Sequence, residues 1–408
     1  MLHKLRVTYE DYPGQFWLLM GARFIDAVGG FLIFPFFSLY FTTKFDVSLA
    51  QVGMIYAIWA LTGMLGQAWG GALSDRAGRK QMVIIGLVFS ALTSLALALV
   101  TEFKMVYLAT ALGGLFSSSS RPASQAMIAD LLREDQMAEG YSISRVIGNV
   151  AFAIGPAIGG LLASVSFVLL FFLDAVTSII TAGIVARFLL ETQPRPSAEK
   201  STRQPLYQVF LGYIQVLRDR TLVIVLLLSV VVLPVYWQWY FSVPVFMRDV
   251  HGMPPIYYGG LMSMAGVLVV VAQFPLTRWL RPYPPLVLMV AGSLLYAIGF
   301  GMFGFIFGIQ WFTLAFVVIT FGEMIFFPTQ QAVVARLAPE DLRGRYMAIA
   351  GIAFSLPNMF GPALGGYMID LSDPNMLWYV GGSICILGAL GYFLLHTKTP
   401  AGSTLAAQ

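Results

Sequence analysis

Twelve windows of about 20 predominantly apolar residues follow one another along this chain, and a stretch of that length is what an α-helix needs to cross a hydrocarbon layer. They run over residues 15–41, 50–73, 81–100, 105–130, 142–163, 167–189, 221–246, 257–279, 285–307, 311–337, 345–368 and 377–396. Inside a bilayer the backbone must satisfy its own hydrogen bonds, so windows of this kind are predicted to be helices. Composition agrees, with 58% of the 408 residues hydrophobic and 11% charged, far from the balance of a water-soluble domain. The first window is too long for the apolar core of a signal peptide and no small-residue cleavage pattern follows it, so it is read as a retained helix.

Charge sets the expected orientation. With the N-terminus inside, only Lys44, Lys104 and Arg248 fall in outer segments, Arg23 and Arg121 lie within spans, and the rest of the 24 lysines and arginines are cytoplasmic. Both termini are therefore expected in the cytoplasm of a cell (inner) membrane, and the net charge of +4 calls for no nucleic-acid partner. Cys385 is the one cysteine and His3, His251 and His396 are far apart in sequence, which argues against a metal centre or a haem. Neither a zinc-protease His pair, a nucleophile elbow nor a phosphate-binding glycine-lysine loop is present, so a membrane-bound enzyme is disfavoured. A receptor would need a sizeable soluble domain, and the longest break is only residues 191–220.

That break divides the chain into residues 1–190 and 221–408, each with six spans. It begins as a polar, proline-dotted linker, and Leu206, Val209, Phe210, Tyr213, Val216 and Leu217 then recur at helical spacing, predicting an amphipathic helix at the membrane surface. The two halves repeat each other. Shifted by 206 residues, Pro122–Gly160 falls without a gap on Pro328–Gly366, and Gly155, Pro156, Gly159 and Gly160 meet Gly361, Pro362, Gly365 and Gly366. Repeats of this kind are the plan of secondary carriers, whose sites lie near the bilayer midplane.

The loop between spans 2 and 3 carries Gly71, Asp75, Gly78, Arg79 and Lys80. Glycine there permits close backbone approach and a tight turn, and ordered charges can latch helices on the inner side. This loop resembles the signature loop of the major facilitator superfamily, which implies the all-α major facilitator fold of two six-helix bundles. The same resemblance implies that Asp130, at the inner end of span 4, receives Arg79. Asn149–Gly160 resembles the glycine-proline motif of that superfamily's antiporters, with Ala151 where a glycine is usual. Its recurrence in span 11 also fits a tight packing seam, since small residues let helices approach. The arginine that many drug antiporters carry on helix 4 has no counterpart at Ala109 or Thr110. Arg121 lies lower on that span, with Ser117 and Gln125 one turn away on its face.

Ionisable residues inside spans are costly and are functional candidates. Arg23 and Asp26 are three apart and so face the same way, where they could pair locally. Asp174 lies about two turns from the outer end of its span, at a depth where hydration is expected. Glu323 has no basic residue within two turns and lies roughly 18 Å from the outer end of its span, near midplane. Gly322–Pro328 resembles the helix-10 segment of proton-driven multidrug carriers, which implies that Glu323 serves protons and cationic substrates; the alternative is a structural partner of a buried arginine. Tyr236, Trp237, Trp239 and Tyr240 cluster between Pro234 and Pro244, either as a stacking and cation-π surface or as interfacial anchors. Gln125, Asn149 and Asn358 complete the candidate cavity lining. Together these readings predict a monomeric, proton-coupled antiporter in the lipid bilayer, exporting amphipathic or drug-like small molecules, with no cofactor beyond the proton gradient. An importer or a lysolipid flippase on the same scaffold is the alternative.

Overall fold

A computed structural model describes residues 11–193, 215–339 and 342–398, the side chain of Asp75 excepted. Its spans are α1 (Gly14–Phe45), α2 (Leu49–Ala77), α3 (Arg79–Leu99), α4 (Phe103–Ser117 and Ser120–Leu131), α5 (Met137–Ala163) and α6 (Phe167–Phe188) in the first repeat. The second repeat has α7 (Arg220–Asp249), α8 (Pro255–Leu280), α9 (Pro285–Met302), α10 (Ile309–Leu337), α11 (Arg343–Leu371) and α12 (Met376–Lys398). Eleven of the described spans are long and apolar enough to cross a membrane, α1 with a 3-10 turn at Phe34–Phe36, and α4 is the twelfth, divided in two. Of the predicted amphipathic helix, Leu206, Val209, Phe210 and Tyr213 lie outside the described residues. Val216 is buried against Leu222, Leu226 and Val334, and Leu217 is exposed.

The division of α4 has a local cause. Pro122 offers no N–H to the Ser118 carbonyl, which is taken instead by the Arg121 N–H at 3.2 Å. Ser119 Oγ donates to the Phe116 carbonyl at 2.6 Å and Ser120 Oγ to that of Ser117 at 2.8 Å, so the ladder tightens for one turn. Ser117 and Arg121 thus belong to different segments, and the single face predicted for Ser117, Arg121 and Gln125 does not run through. In the other repeat Pro328 sits inside an unbroken α10. There the carbonyl that the proline leaves without a partner, that of Met324, accepts from Gln273 Nε2 of α8 at 3.1 Å.

The structure divides into two compact units. One takes the described residues of Met1–Asp46, Ile58–Ala198 and Pro254–Gly266; the other takes those of Val47–Ala57, Glu199–Met253 and Val267–Gln408. Within the first, the glycines of α5 seat two helices. A Cβ at Gly155 would lie 2.6 Å from Phe31 Cβ and one at Gly159 2.6 Å from the Leu32 carbonyl oxygen, both on α1, whereas Gly160 meets the start of α8 at Ile256 and Gly259. Tyr258 of α8 closes this seam edge-on against Phe36. Ala157 N–H donates to Ser263 Oγ at 2.7 Å.

The second unit repeats the device. Gly361 of α11 seats the backbone of α7 at Pro234 and Gly365 accommodates Gln238, whose Nε2 donates to the Gly361 carbonyl at 2.7 Å. Gly366 meets the start of α2 at Leu49 and Ala50. Asp370 accepts their N–H groups at 3.1 and 2.8 Å, an anion on the positive end of a helix. Ser48 and Gln51 add a reciprocal capping pair.

Close approach, and not helix propensity, is therefore what the seam glycines supply. Gly159→Ala should destabilise the protein by about 1–3 kcal/mol through overpacking, read as a lower thermal midpoint in detergent. Gly148→Ala, in the same helix with nothing within 4 Å of the added carbon, should be neutral or stabilising by up to about 1 kcal/mol.

Candidate functional site

In the second unit, Glu323 of α10 sits in an aromatic enclosure. Its Oε1 accepts from Tyr236 Oη of α7 at 3.2 Å, and Tyr236 Oη is 3.2 Å from Tyr240 Oη. Around this chain of hydroxyls, the Tyr236 ring packs at 4.9 Å on Phe327 and 5.8 Å on Tyr296, and Trp237 packs at 5.7 Å on Phe354. Trp239 is 1% exposed, against Phe316. These aromatics begin about 24 Å along α7 from its first residue and pack on neighbouring helices, Tyr236 and Trp239 buried and Trp237 and Tyr240 half-buried, an arrangement unlike that of interfacial anchors. Among the described residues no cation forms a salt bridge with Glu323. Tyr296 Oη, fully buried, and Trp237 Nε1 have no hydrogen-bond partner among the described residues, and buried polar groups ordinarily have one. Tyr296 was not legible as a participant, because nothing in its own stretch of α9 marks it.

In the first unit Arg23, Asp26 and Asp174 are held by hydroxyls. The expected Arg23–Asp26 pair does not form. Arg23 Nη1 donates to Ser124 Oγ of α4 at 3.2 Å, and Asp26 Oδ1 accepts from Ser178 Oγ of α6 at 3.1 Å. The side chains leave α1 toward different neighbours, and the neutral serines solvate each charge separately. Asp174 is 6% exposed and accepts a short hydrogen bond from Ser94 Oγ of α3, so the hydration predicted at its depth is replaced by protein. Arg121 is exposed. Gln125 is exposed too, and its carbonyl accepts from Tyr141 Oη at 3.2 Å. Asn149 on α5 and Asn358 on α11 are half-buried.

The signature loop has a definite geometry. Arg79 Nη1 and Asp130 Oδ2 form an ion pair, and Thr192 Oγ1 donates to the same carboxylate oxygen at 3.0 Å. Gly78, at φ +103°, occupies the left-handed region that glycine tolerates. It hands α3 its N-terminus, where Glu191 accepts from the N–H groups of Arg79 at 3.0 Å and Lys80 at 3.1 Å. Glu191 was missed in the sequence, where it is merely an acid following the sixth span. The close backbone approach expected at Gly71 is made by Gly70: a Cβ there would come within 2.5 Å of Ser119 Cα, against 3.7 Å from Pro122 at Gly71.

The fold is that of a polytopic membrane transporter. A solved structure of the nucleoside transporter NupG superposes with a TM-score of 0.82 over 94% of this chain and 100% of that one, at 14% identity. The family model of the Major Facilitator Superfamily matches residues 19–362 and 288–408, and the chain belongs to that family. It is 27% identical over 403 residues to a "Na(+), Li(+), K(+)/H(+) antiporter" of Planococcus maritimus, covering 91% of each protein. It is 25% identical over 386 residues to the multidrug resistance protein MdtH of Yersinia enterocolitica, covering 93% of this chain and 94% of that protein.

Tyr236→Phe keeps the ring contacts and removes the hydroxyl on Glu323, a hydrogen bond to a charged group worth about 1.5–3 kcal/mol. It should lower the thermal midpoint by a few degrees and lower transport about tenfold or more, measured as initial rates in proteoliposomes. Glu191→Ala removes the α3 cap and should cost about 0.5–2 kcal/mol, read as a lower thermal midpoint.

Proposed function

We propose that this transporter is a proton-coupled antiporter that exports amphipathic, drug-like molecules. The observation that carries the reading is Glu323 in its aromatic enclosure, hydrogen-bonded to Tyr236 and with no salt-bridged cation among the described residues. A carboxyl group so placed changes the local charge by a full unit each time it gains or loses a proton, and in a low-dielectric setting that change is strongly felt. A cationic substrate stacked on Tyr236, Trp237 and Tyr240 competes with the proton for the same negative charge. Proton entry then expels the substrate and substrate entry expels the proton.

In this reading residues 1–190 and 221–408 act as two bundles joined by the 191–220 linker, and they rock about a midplane site. Both termini are cytoplasmic and the working unit is a monomer. The Arg79–Asp130 pair parts and reforms as the two access states alternate, and Asp26 contributes a second protonatable group. The relation to MdtH supports the substrate class.

A second reading, exchange of monovalent cations for protons, is favoured by the relation to the Planococcus antiporter. It also draws on the oxygen-rich strip of Asp26, Ser178, Asp174 and Ser94.

Inside-out vesicles energised by a proton gradient separate the two. Accumulation of a lipophilic cationic dye, abolished by a protonophore and by Glu323→Gln, is the expected result. Dye movement indifferent to both treatments rejects the mechanism. Proton release on adding Na+ or Li+ without any dye movement supports cation exchange instead, and inactivity toward both directs attention to lysolipid flipping or import.

A further inference from the structure

A cavity of about 530 Å³ opens in the second unit between the ends of α8, α9 and α10. Three arginines line it, Arg278 and Arg281 at the end of α8 and Arg336 at the end of α10, and no acidic side chain among the described residues does. All three are exposed. The rest of the wall is largely apolar and includes Phe274, Leu288 and Ile325. Along α10 the lining runs from Arg336 to Met324, about 18 Å at the helical rise, from the charged end of the span well into its apolar length. Phe274, 75% exposed, stands at the lip. Trp279 and Tyr283 are also exposed beside the arginines, as aromatic residues are at a membrane–water interface. The cavity thus presents positive charge at headgroup depth and hydrocarbon-like surface below it.

We propose that this cavity binds an anionic phospholipid, its phosphate held by Arg278, Arg281 and Arg336 and an acyl chain lying along Phe274, Leu288 and Ile325. Guanidinium groups match phosphate oxygens in geometry as well as charge, and basic pockets between membrane helices are suited to lipid headgroups. Free phosphate matches the arginines but leaves the apolar wall uncovered, and a zwitterionic phospholipid brings a phosphate together with a quaternary ammonium that opposes the arginines' charge. The bound lipid also touches α10 at Met324 and Ile325, the two residues after Glu323. This site is separate from the proposed coupling chemistry and stands or falls without it.

The test is native mass spectrometry of the delipidated full-length protein in detergent, with phosphatidylglycerol, phosphatidylcholine or inorganic phosphate added and thermal unfolding measured in parallel. Phosphatidylglycerol should be retained about tenfold better than phosphatidylcholine and should raise the thermal midpoint, while phosphate should do neither. The triple substitution Arg278→Gln, Arg281→Gln and Arg336→Gln should abolish the preference for phosphatidylglycerol. Leu288→Trp, which fills the apolar wall and leaves the arginines in place, should weaken phosphatidylglycerol retention alone. Equal retention of the two lipids by the wild-type protein overturns the proposal with no variant needed. A preference that survives both sets of substitutions overturns it too, and protection by phosphate equal to that by phosphatidylglycerol overturns the assignment to a lipid.

Discussion

A carbonyl that loses its amide partner inside hydrocarbon has to find another donor in the protein, and that constraint shapes both copies of the repeat. Pro122 and Pro328 occupy the same position and leave the same carbonyl unmatched. In α4 the backbone answers locally, tightening around Ser118 with help from two serine hydroxyls. In α10 a neighbour answers, because Gln273 reaches across from α8. One solution divides a helix; the other leaves it unbroken and ties it to α8. The seams of α5 and α11 obey the same logic, since backbones pressed together at glycine bring carbonyls within reach of side chains such as Gln238.

Glu323, Asp26 and Asp174 share a second regularity: the protein meets each with a hydroxyl. Tyr236, Ser178 and Ser94 are those partners. A neutral donor stabilises a carboxylate without cancelling its charge, whereas an arginine at contact distance would turn it into a fixed dipole. Arg79 and Asp130, at the end of the spans, are the contrasting case, a true ion pair. Among the described residues these carboxylates within the spans are thus held by hydroxyls, and the charges of Arg79 and Asp130 at the helix ends are paired.

Span count and span limits were legible because hydropathy acts over one helix, and the Arg79–Asp130 contact was expected from the family resemblance of the loop that carries Arg79. The acids within the spans were legible because a charge in an apolar run stands out. What could not be read was the partner of each charge. Arg23 and Asp26 look like a pair on one face, yet their partners Ser124 and Ser178 are 101 and 152 residues away in sequence. The break in α4 was hidden because hydropathy is blind to the ladder, although Pro122 and its run of serines held the information. The aromatic run of α7 could be a stacking surface or a membrane anchor, and its packing on α9, α10 and α11 argues against the anchor.

The composition of the first unit bears on how the chain matures. Residues 58 to 193 leave the ribosome together, but the piece that completes their seam at Gly160 is Pro254–Gly266, synthesised some sixty residues after α6 ends. Until it arrives, a glycine-lined face of α5 stays open to lipid. Domains commonly fold as units in the order of synthesis; here the segment packed on Gly160 is synthesised only after the C-terminal half has begun. Biogenesis of the two halves is consequently interleaved, and a truncation within α8 would strand the earlier helices without their closing segment.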